Sequence, residues 1–295
     1  LKALGQILLY LAATVLVGAL LAPALFWWAQ AVGRYLDDPD VTAFLARTDF
    51  QRYFDRAIMI AALALLWPLL RALRMKNFGY DLGLNPDRWG WQRMGVGFLV
   101  ALATLLALGG ILMMTGVYRL HSHLAYGKLA WLPVTALVVA VIEEMLFRGA
   151  LQGAVRRTMT EDFALVAVAV LYAAVHFMKP PGHGMELAAI RWWSGLALLP
   201  ETFAQFRQLG LLLGGFTTLL LAGLILGYVR VRTRSLWMPA GLHAGWILGK
   251  MGLLEATHHS EAWPWVGPDI LIGLAPLLTL LLAWAILWWM LRDVR

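Results

Sequence analysis

Four stretches of the chain run without a charged residue for about the length that crosses a bilayer as a helix, roughly 20 residues. They are Ala3 to Gly33, Met94 to Tyr118, Leu209 to Val229 and Ile270 to Leu291. Four more are shorter or interrupted. Ala57 to Leu70 covers only 14 residues, a length that also suits a buried or interfacial segment. Leu129 to Val155 carries Glu143, Glu144 and Arg148, Phe163 to Met178 ends near His176, and Ser235 to Gly249 encloses His243. The pattern predicts an all-α, polytopic integral membrane protein of about eight transmembrane helices. Residues 1–295 would form one transmembrane domain, with the polar site in the core of its bundle.

Composition points the same way. Hydrophobic residues make up 61% of the chain and charged ones 14%, against about 45–50% and 25% in soluble domains. Cysteine is absent, which excludes disulfides, a thiolate nucleophile and iron–sulfur ligation. The net charge of +7 comes from lysines and arginines scattered over short loops, with no basic groove interleaved with aromatics, so no nucleic-acid partner is expected. They read as topology signals instead. With eight crossings both termini share a side, and so do the loops holding Arg71, Arg74 and Lys76, Arg156 and Arg157, and Arg230, Arg232 and Arg234. The opposite loops hold Asp37, Asp38, Asp40, Glu186, Glu201, Glu255, Glu261 and Asp269. The positive-inside rule then puts both termini in the cytoplasm, in a membrane of the bacterial inner (plasma) type.

The opening LKALGQILLY leads into an apolar run about twice a signal h-region of roughly 7–15 residues, which predicts an uncleaved first helix. Tryptophans gather near predicted helix ends, as at Trp27-Trp28, Trp89 and Trp91, Trp263 and Trp265, and Trp288-Trp289, where interfacial anchoring accounts for them. The mixed loop Met185 to Phe206, around Trp192-Trp193, predicts an interfacial helix. There is no internal repeat or low-complexity linker.

An ionisable group at mid-bilayer costs at least roughly 2.5–3.5 kcal/mol, so Glu143, Glu144 and Arg148 point to function. Glu144 and Arg148 lie four apart on one helical face, acid before base, the favourable order for a pair. Glu143 is turned about 100° away toward Phe147. Spacing therefore makes Glu144 the orienting member and Glu143 the carboxylate available for proton chemistry. His176 and His243 are the groups that could support it. Counting 1.5 Å per residue from the cytoplasmic ends, Glu143 lies roughly 20 Å deep, His176 roughly 21 Å and His243 roughly 13 Å, so the three can meet in one layer. His121, His123, His183, His258 and His259 fall in predicted outer loops and read as solvated.

Glutamate with histidine can activate water directly or through a bound metal, and no sequential zinc motif such as HExxH is present. A proton-coupled transporter uses the same residue types, although the inverted repeats or paired half-helices of such carriers are not evident. A purely structural ion pair with packing histidines is the third reading.

The motifs carry a resemblance. EEMLFRG, Glu143 to Gly149, resembles the EExxxR motif of the CPBP family of CAAX proteases and bacteriocin-processing enzymes (Abi proteins), which includes the type II CAAX prenyl endopeptidases. YAAVH, Tyr172 to His176, resembles the family's FxxxH with tyrosine in place of phenylalanine. HAGWI, His243 to Ile247, resembles its HxxxN with isoleucine in place of asparagine. The similar core covers about residues 128–250. The resemblance implies an intramembrane endopeptidase acting on a membrane-tethered peptide or protein within the lipid bilayer. In it Glu143 activates a water with help from His176, His243 stabilises the oxyanion, and Glu144 with Arg148 holds the helix face. No cofactor is expected; zinc held by Glu143, His176 and His243 is the alternative. Ile247 removes a potential oxyanion donor, which leaves substitution by the Trp246 indole, a lower activity, or a non-catalytic relative acting as a scaffold.

Overall fold

The computed structural model describes residues 2–46, 48–75, 79, 82–84, 88–157, 159–178 and 189–293. Lys76, His183, Glu186 and the first residues of the Met185–Phe206 loop lie outside them. Each of the eight predicted segments is helical: Lys2–Leu36, Phe50–Ala72, Gly90–Met114, Tyr126–Arg156, Glu161–Phe177, Leu209–Thr233, Trp237–Ala256 and Leu274–Leu291. Six of them are long and apolar enough to cross a membrane. The other two, Glu161–Phe177 and Trp237–Ala256, are the helices that carry His176 and His243. The tryptophans of the anchoring pattern are exposed, Trp28, Trp91 and Trp289 among them.

Packing divides the chain into two compact units. The first comprises residues 1–75 with 175–209. Its core joins Ala19, Ala22 and Phe26 of the first helix to Phe50, Tyr53, Phe54 and Ala57 of the second. Phe26 meets Phe50 and Tyr53 edge-on, with centroids 6.1 and 5.3 Å apart. The short Ala57–Leu70 segment is thus part of a helix of 23 residues that starts at Phe50. The reason lies in its first two turns. Phe50, Tyr53 and Phe54 recur at helical spacing and are buried, while Arg52, Asp55 and Arg56 point outward, so the charges that interrupt the apolar run occupy the solvated face.

The Met185–Phe206 loop also departs from expectation. Where described, it forms the short helix Ser194–Ala197 and the 3-10 turn Pro200–Arg207, not one interfacial helix. Gly195 sits so close to the first helix that a Cβ there would lie 1.9 Å from the Ala19 carbonyl oxygen. Only a glycine allows that approach.

The second unit comprises residues 76–174 with 210–295. Leu226 and Val229 of helix Leu209–Thr233, Met238 and Leu242 of Trp237–Ala256, and Leu280 and Leu287 of Leu274–Leu291 form its main core cluster. Helices Gly90–Met114 and Trp237–Ala256 meet along a seam of small residues. A Cβ on Gly97 would lie 2.4 Å from the Met238 carbonyl oxygen, and one on Gly241 1.9 Å from that of Met94. Small residues let backbones approach in this way where water supplies no driving force. An antiparallel two-stranded ribbon, Tyr118–Leu120 with Thr257–His259, is the β structure among the described residues.

Candidate active site

Helix Tyr126–Arg156 is not uniform. It is α-helical over Tyr126–Glu144, opens into a π-helix over Met145–Leu151, and returns to α over Gln152–Arg156. The widened turn begins immediately after Glu144 and contains Arg148. Such π turns cost hydrogen-bond geometry and concentrate at functional sites.

Arg148 is the largest fully buried side chain among the described residues, and both terminal nitrogens of its guanidinium are engaged. Nη1 donates to Glu144 Oε1 at 3.0 Å, and Nη2 donates to the Gly223 carbonyl at 3.3 Å. The guanidinium carbon sits 4.5 Å from the centroid of the Tyr172 ring and 5.7 Å from that of Phe147. One turn on, Gln152 Nε2 donates to the Gly227 carbonyl at 3.5 Å. Residues 148 and 152 of one helix therefore form two rungs with residues 223 and 227 of another. Gly223 also presses against Ala169, where a Cβ would come within 3.1 Å of the neighbouring Cα. The Glu144–Arg148 pair expected from spacing is present, and it is bolted to a second helix through backbone carbonyls.

Glu144 Oε1 accepts a second hydrogen bond, from His243 Nδ1 at 2.9 Å. Glu144 is fully buried and His243 nearly so. Because a carboxylate bonded to Arg148 is an acceptor, Nδ1 carries a proton, and Nε2 is the nitrogen turned toward Tyr172 and Glu143. Nε2 lies 3.3 Å from the Tyr172 hydroxyl and 3.8 Å from Glu143 Oε2. The histidine expected beside Glu143 is thus tied first to Glu144, and it reaches Glu143 with its other nitrogen. Glu143 is the more open carboxylate, its side chain 26% exposed against 0% for Glu144.

His176 is half-buried and follows Tyr172 by one turn of helix Glu161–Phe177. It belongs with the first unit, whereas Glu143, Glu144, Arg148, Tyr172 and His243 all belong with the second. Trp246 packs against the core cluster around Leu226 and Leu287, and its Nε1 is buried without a partner among the described residues. Ile247, one turn beyond His243, offers no hydrogen-bonding atom in its side chain.

Two site residues were not picked out in the sequence. Tyr172 stood as the first letter of a motif, and its spacing from His176 gave no sign that its hydroxyl turns to His243, 71 positions away. Gln152 was hidden as a polar residue near a helix end; its only signal is the GLILG stretch, Gly223 to Gly227, which marks a helix that a neighbour can approach closely.

Metal-ligand geometry asks for at least three converging donors. Among the described residues no group of three His, Asp or Glu side chains is so disposed, and His243 Nδ1 and Glu144 Oε1 are already committed to each other. Of the loop histidines, His121 Nδ1 and His258 Nε2 are hydrogen-bonded at 2.8 Å beside the ribbon.

A cavity of about 250 Å³ adjoins the site, bordered by Trp91, Val141, Glu144, Met145, Leu236 and Trp237. Glu144 is the only charged group in its wall among the described residues. Concave, mostly apolar spaces with few fixed polar groups are where small apolar ligands are held.

Residues 125–248 match the family model described as type II CAAX prenyl endopeptidase Rce1-like. That segment holds all three motifs and runs from the start of helix Tyr126–Arg156 into Trp237–Ala256. No curated protein and no solved structure gave a significant match.

Proposed function

With residues 125–248 matching the Rce1-like CAAX prenyl endopeptidases, we propose that this integral membrane protein hydrolyses a peptide bond of a membrane-tethered polypeptide by means of a protein-activated water. The observation that carries the reading is the fixed orientation of His243. Arg148 pins Glu144, Glu144 holds Nδ1, and Nε2 is left 3.8 Å from the more open Glu143. A water held between a carboxylate and an imidazole is in position to lose a proton to one of them.

Glu143, assisted by His176, takes a proton from that water. The hydroxide adds to the scissile carbonyl carbon, and the π-electron pair moves onto the carbonyl oxygen. The imidazole edge of His243 is the protein surface that meets this oxyanion. On collapse the C–N bond breaks, and the proton held by Glu143 passes to the departing amine. Glu144 and Arg148 take no proton; they keep the imidazole in one tautomer and one orientation. The apolar cavity beside Glu144 suits the hydrocarbon part of a substrate that arrives from the bilayer.

The test is cleavage of a quenched-fluorescent peptide with a prenylated CAAX tail by the protein in liposomes. Glu143→Ala, His176→Ala and His243→Ala each abolish product while leaving insertion and yield unchanged. Full proteolysis by the Glu143 variant overturns the mechanism. Uptake of a solute coupled to a pH gradient, with no peptide product, would make the protein a carrier. Activity is expected to survive chelator treatment, and near-stoichiometric zinc with loss of activity on chelation would assign the water to a metal instead.

A further inference from the structure

Helices Leu209–Thr233 and Leu274–Leu291, both long and apolar enough to cross the membrane, leave a groove of about 370 Å³ between them. Tyr228 of the first helix lines it, with Leu281, Trp284, Ala285 and Trp288 of the second. Leu280 and Leu287 turn the other way, into the core cluster. Leu281 and Trp288 are 47% and 56% exposed, so the groove opens away from the protein interior, where a spanning helix meets lipid. An unfilled void there forfeits dispersion contacts, and an apolar wall offers water no hydrogen bond. Hydrocarbon is what fills it.

One end of the groove is positively charged. The two helices run parallel and finish level, because Arg232 Nη2 donates to the carbonyls of Leu291 and Arg292 at 2.7 and 2.9 Å. Arg232 follows Tyr228 by four residues, and Arg292 follows Trp288 by four, so each arginine stands about one turn beyond the aromatic wall. Among the described residues Arg232 pairs with no carboxylate. Arg292 Nε lies 3.3 Å from Asp293, but both side chains are exposed, at 52% and 89%, and such a pair contributes little. Arg234 adds a further positive charge beside them.

We propose that this groove binds an anionic phospholipid, with one acyl chain along Tyr228, Trp284 and Trp288 and the phosphate-bearing headgroup on Arg232 and Arg292. The dimensions agree. Leu281 to Trp288 spans about 10 Å of helix, within the roughly 15 Å of hydrocarbon in one leaflet. Trp288 and Trp289 mark the headgroup level, where exposed indoles settle. The order of polarity, apolar wall and then cations, is that of a lipid. A helix from a second copy of the chain would fill the groove and leave both arginines without an anion.

Native mass spectrometry tests this on the whole protein in detergent, titrated with phosphatidylglycerol or with phosphatidylcholine of identical chains. Each arginine near the membrane surface strengthens anionic-lipid binding about fivefold. One phosphatidylglycerol is therefore expected to be retained roughly 25-fold more tightly than phosphatidylcholine, and Arg292→Gln to lose about fivefold of that preference. Ala285→Phe fills the groove at an exposed position and should abolish retention of the lipid. Leu282→Phe adds the same bulk on the same helix outside the groove, where residue 282 is 54% exposed, and should leave retention unchanged. Equal retention of the two lipids overturns the proposal, as does phosphatidylglycerol still held by Ala285→Phe or a preference indifferent to Arg292→Gln. A lipid-free dimer that Ala285→Phe breaks would give the groove to a second copy and overturn it as well.

Discussion

At the level of single residues, the site is held by one oxygen. Glu144 Oε1 accepts from both Arg148 and His243, so the charge balance of the buried network depends on the guanidinium. Removing one partner of a buried ion pair leaves an uncompensated charge and costs about 3–5 kcal/mol. Arg148→Met is expected to lower stability by that order in thermal unfolding in detergent. Arg148→Lys should rescue little, because one ammonium cannot span Glu144 and the Gly223 carbonyl as the planar fork does. Glu143→Gln, at the more open carboxylate, should leave the unfolding temperature nearly unchanged, and equal losses at Glu143 and Arg148 would contradict the division of roles. The Glu144–Arg148 pair was legible in the sequence, because four-residue spacing is a local property of a helix. The bond from His243 to Glu144 was not, since it joins residues 99 positions apart, and depth counting placed His243 in a layer with Glu143 without showing which carboxylate it meets.

At the level of elements, His243 is placed by how closely its helix approaches Gly90–Met114. A Cβ on Gly241 would lie 1.9 Å from the Met94 carbonyl oxygen, so Gly241→Ala must push the two backbones apart two residues before His243. Misplacing a catalytic group by about 1 Å can cost on the order of 10² in rate, and that is the loss expected in the cleavage assay. Gly252→Ala in the same helix meets nothing within 4 Å and should leave cleavage intact, which makes the pair a test of close packing against helix propensity.

The ribbon offers a second element-level test. Burial, with Asp269 adding to it, pushes the Tyr118 phenol from 10.0 up to about 12. A folded-state pKa above the unfolded one means that the stability it contributes is complete below pH about 10 and is lost as pH rises through about 12. Tyr118→Phe should therefore flatten the fall in stability over that window in alkaline unfolding, and an unchanged profile would remove Tyr118 from its cause. Helix existence was legible from apolar runs. The start at Phe50, the π turn after Glu144 and the ribbon were not, because each depends on which face a neighbour covers.

For the whole molecule the open quantity is the number of crossings, and the two helices that decide it are Glu161–Phe177 and Trp237–Ala256. They are the ones whose length or polarity sets them apart from the six apolar spans. Polar residues are costly in lipid and persist where they line a protein interior, which is what the burial of His243 and Tyr172 provides. On that argument we expect both helices to cross, for eight spans with the termini in the cytoplasm. The absence of cysteine allows a direct test by single-cysteine labelling with a membrane-impermeant maleimide. Met159→Cys should react only after permeabilisation and Ser260→Cys in intact cells, as either six or eight crossings require. Gln208→Cys separates them. If Glu161–Phe177 crosses, position 208 lies on the outer side and reacts in intact cells. If it does not, the label reaches position 208 only after permeabilisation, and His176 would then sit at the end of a helix that never traverses the bilayer, in conflict with a water-activating role deep in the membrane.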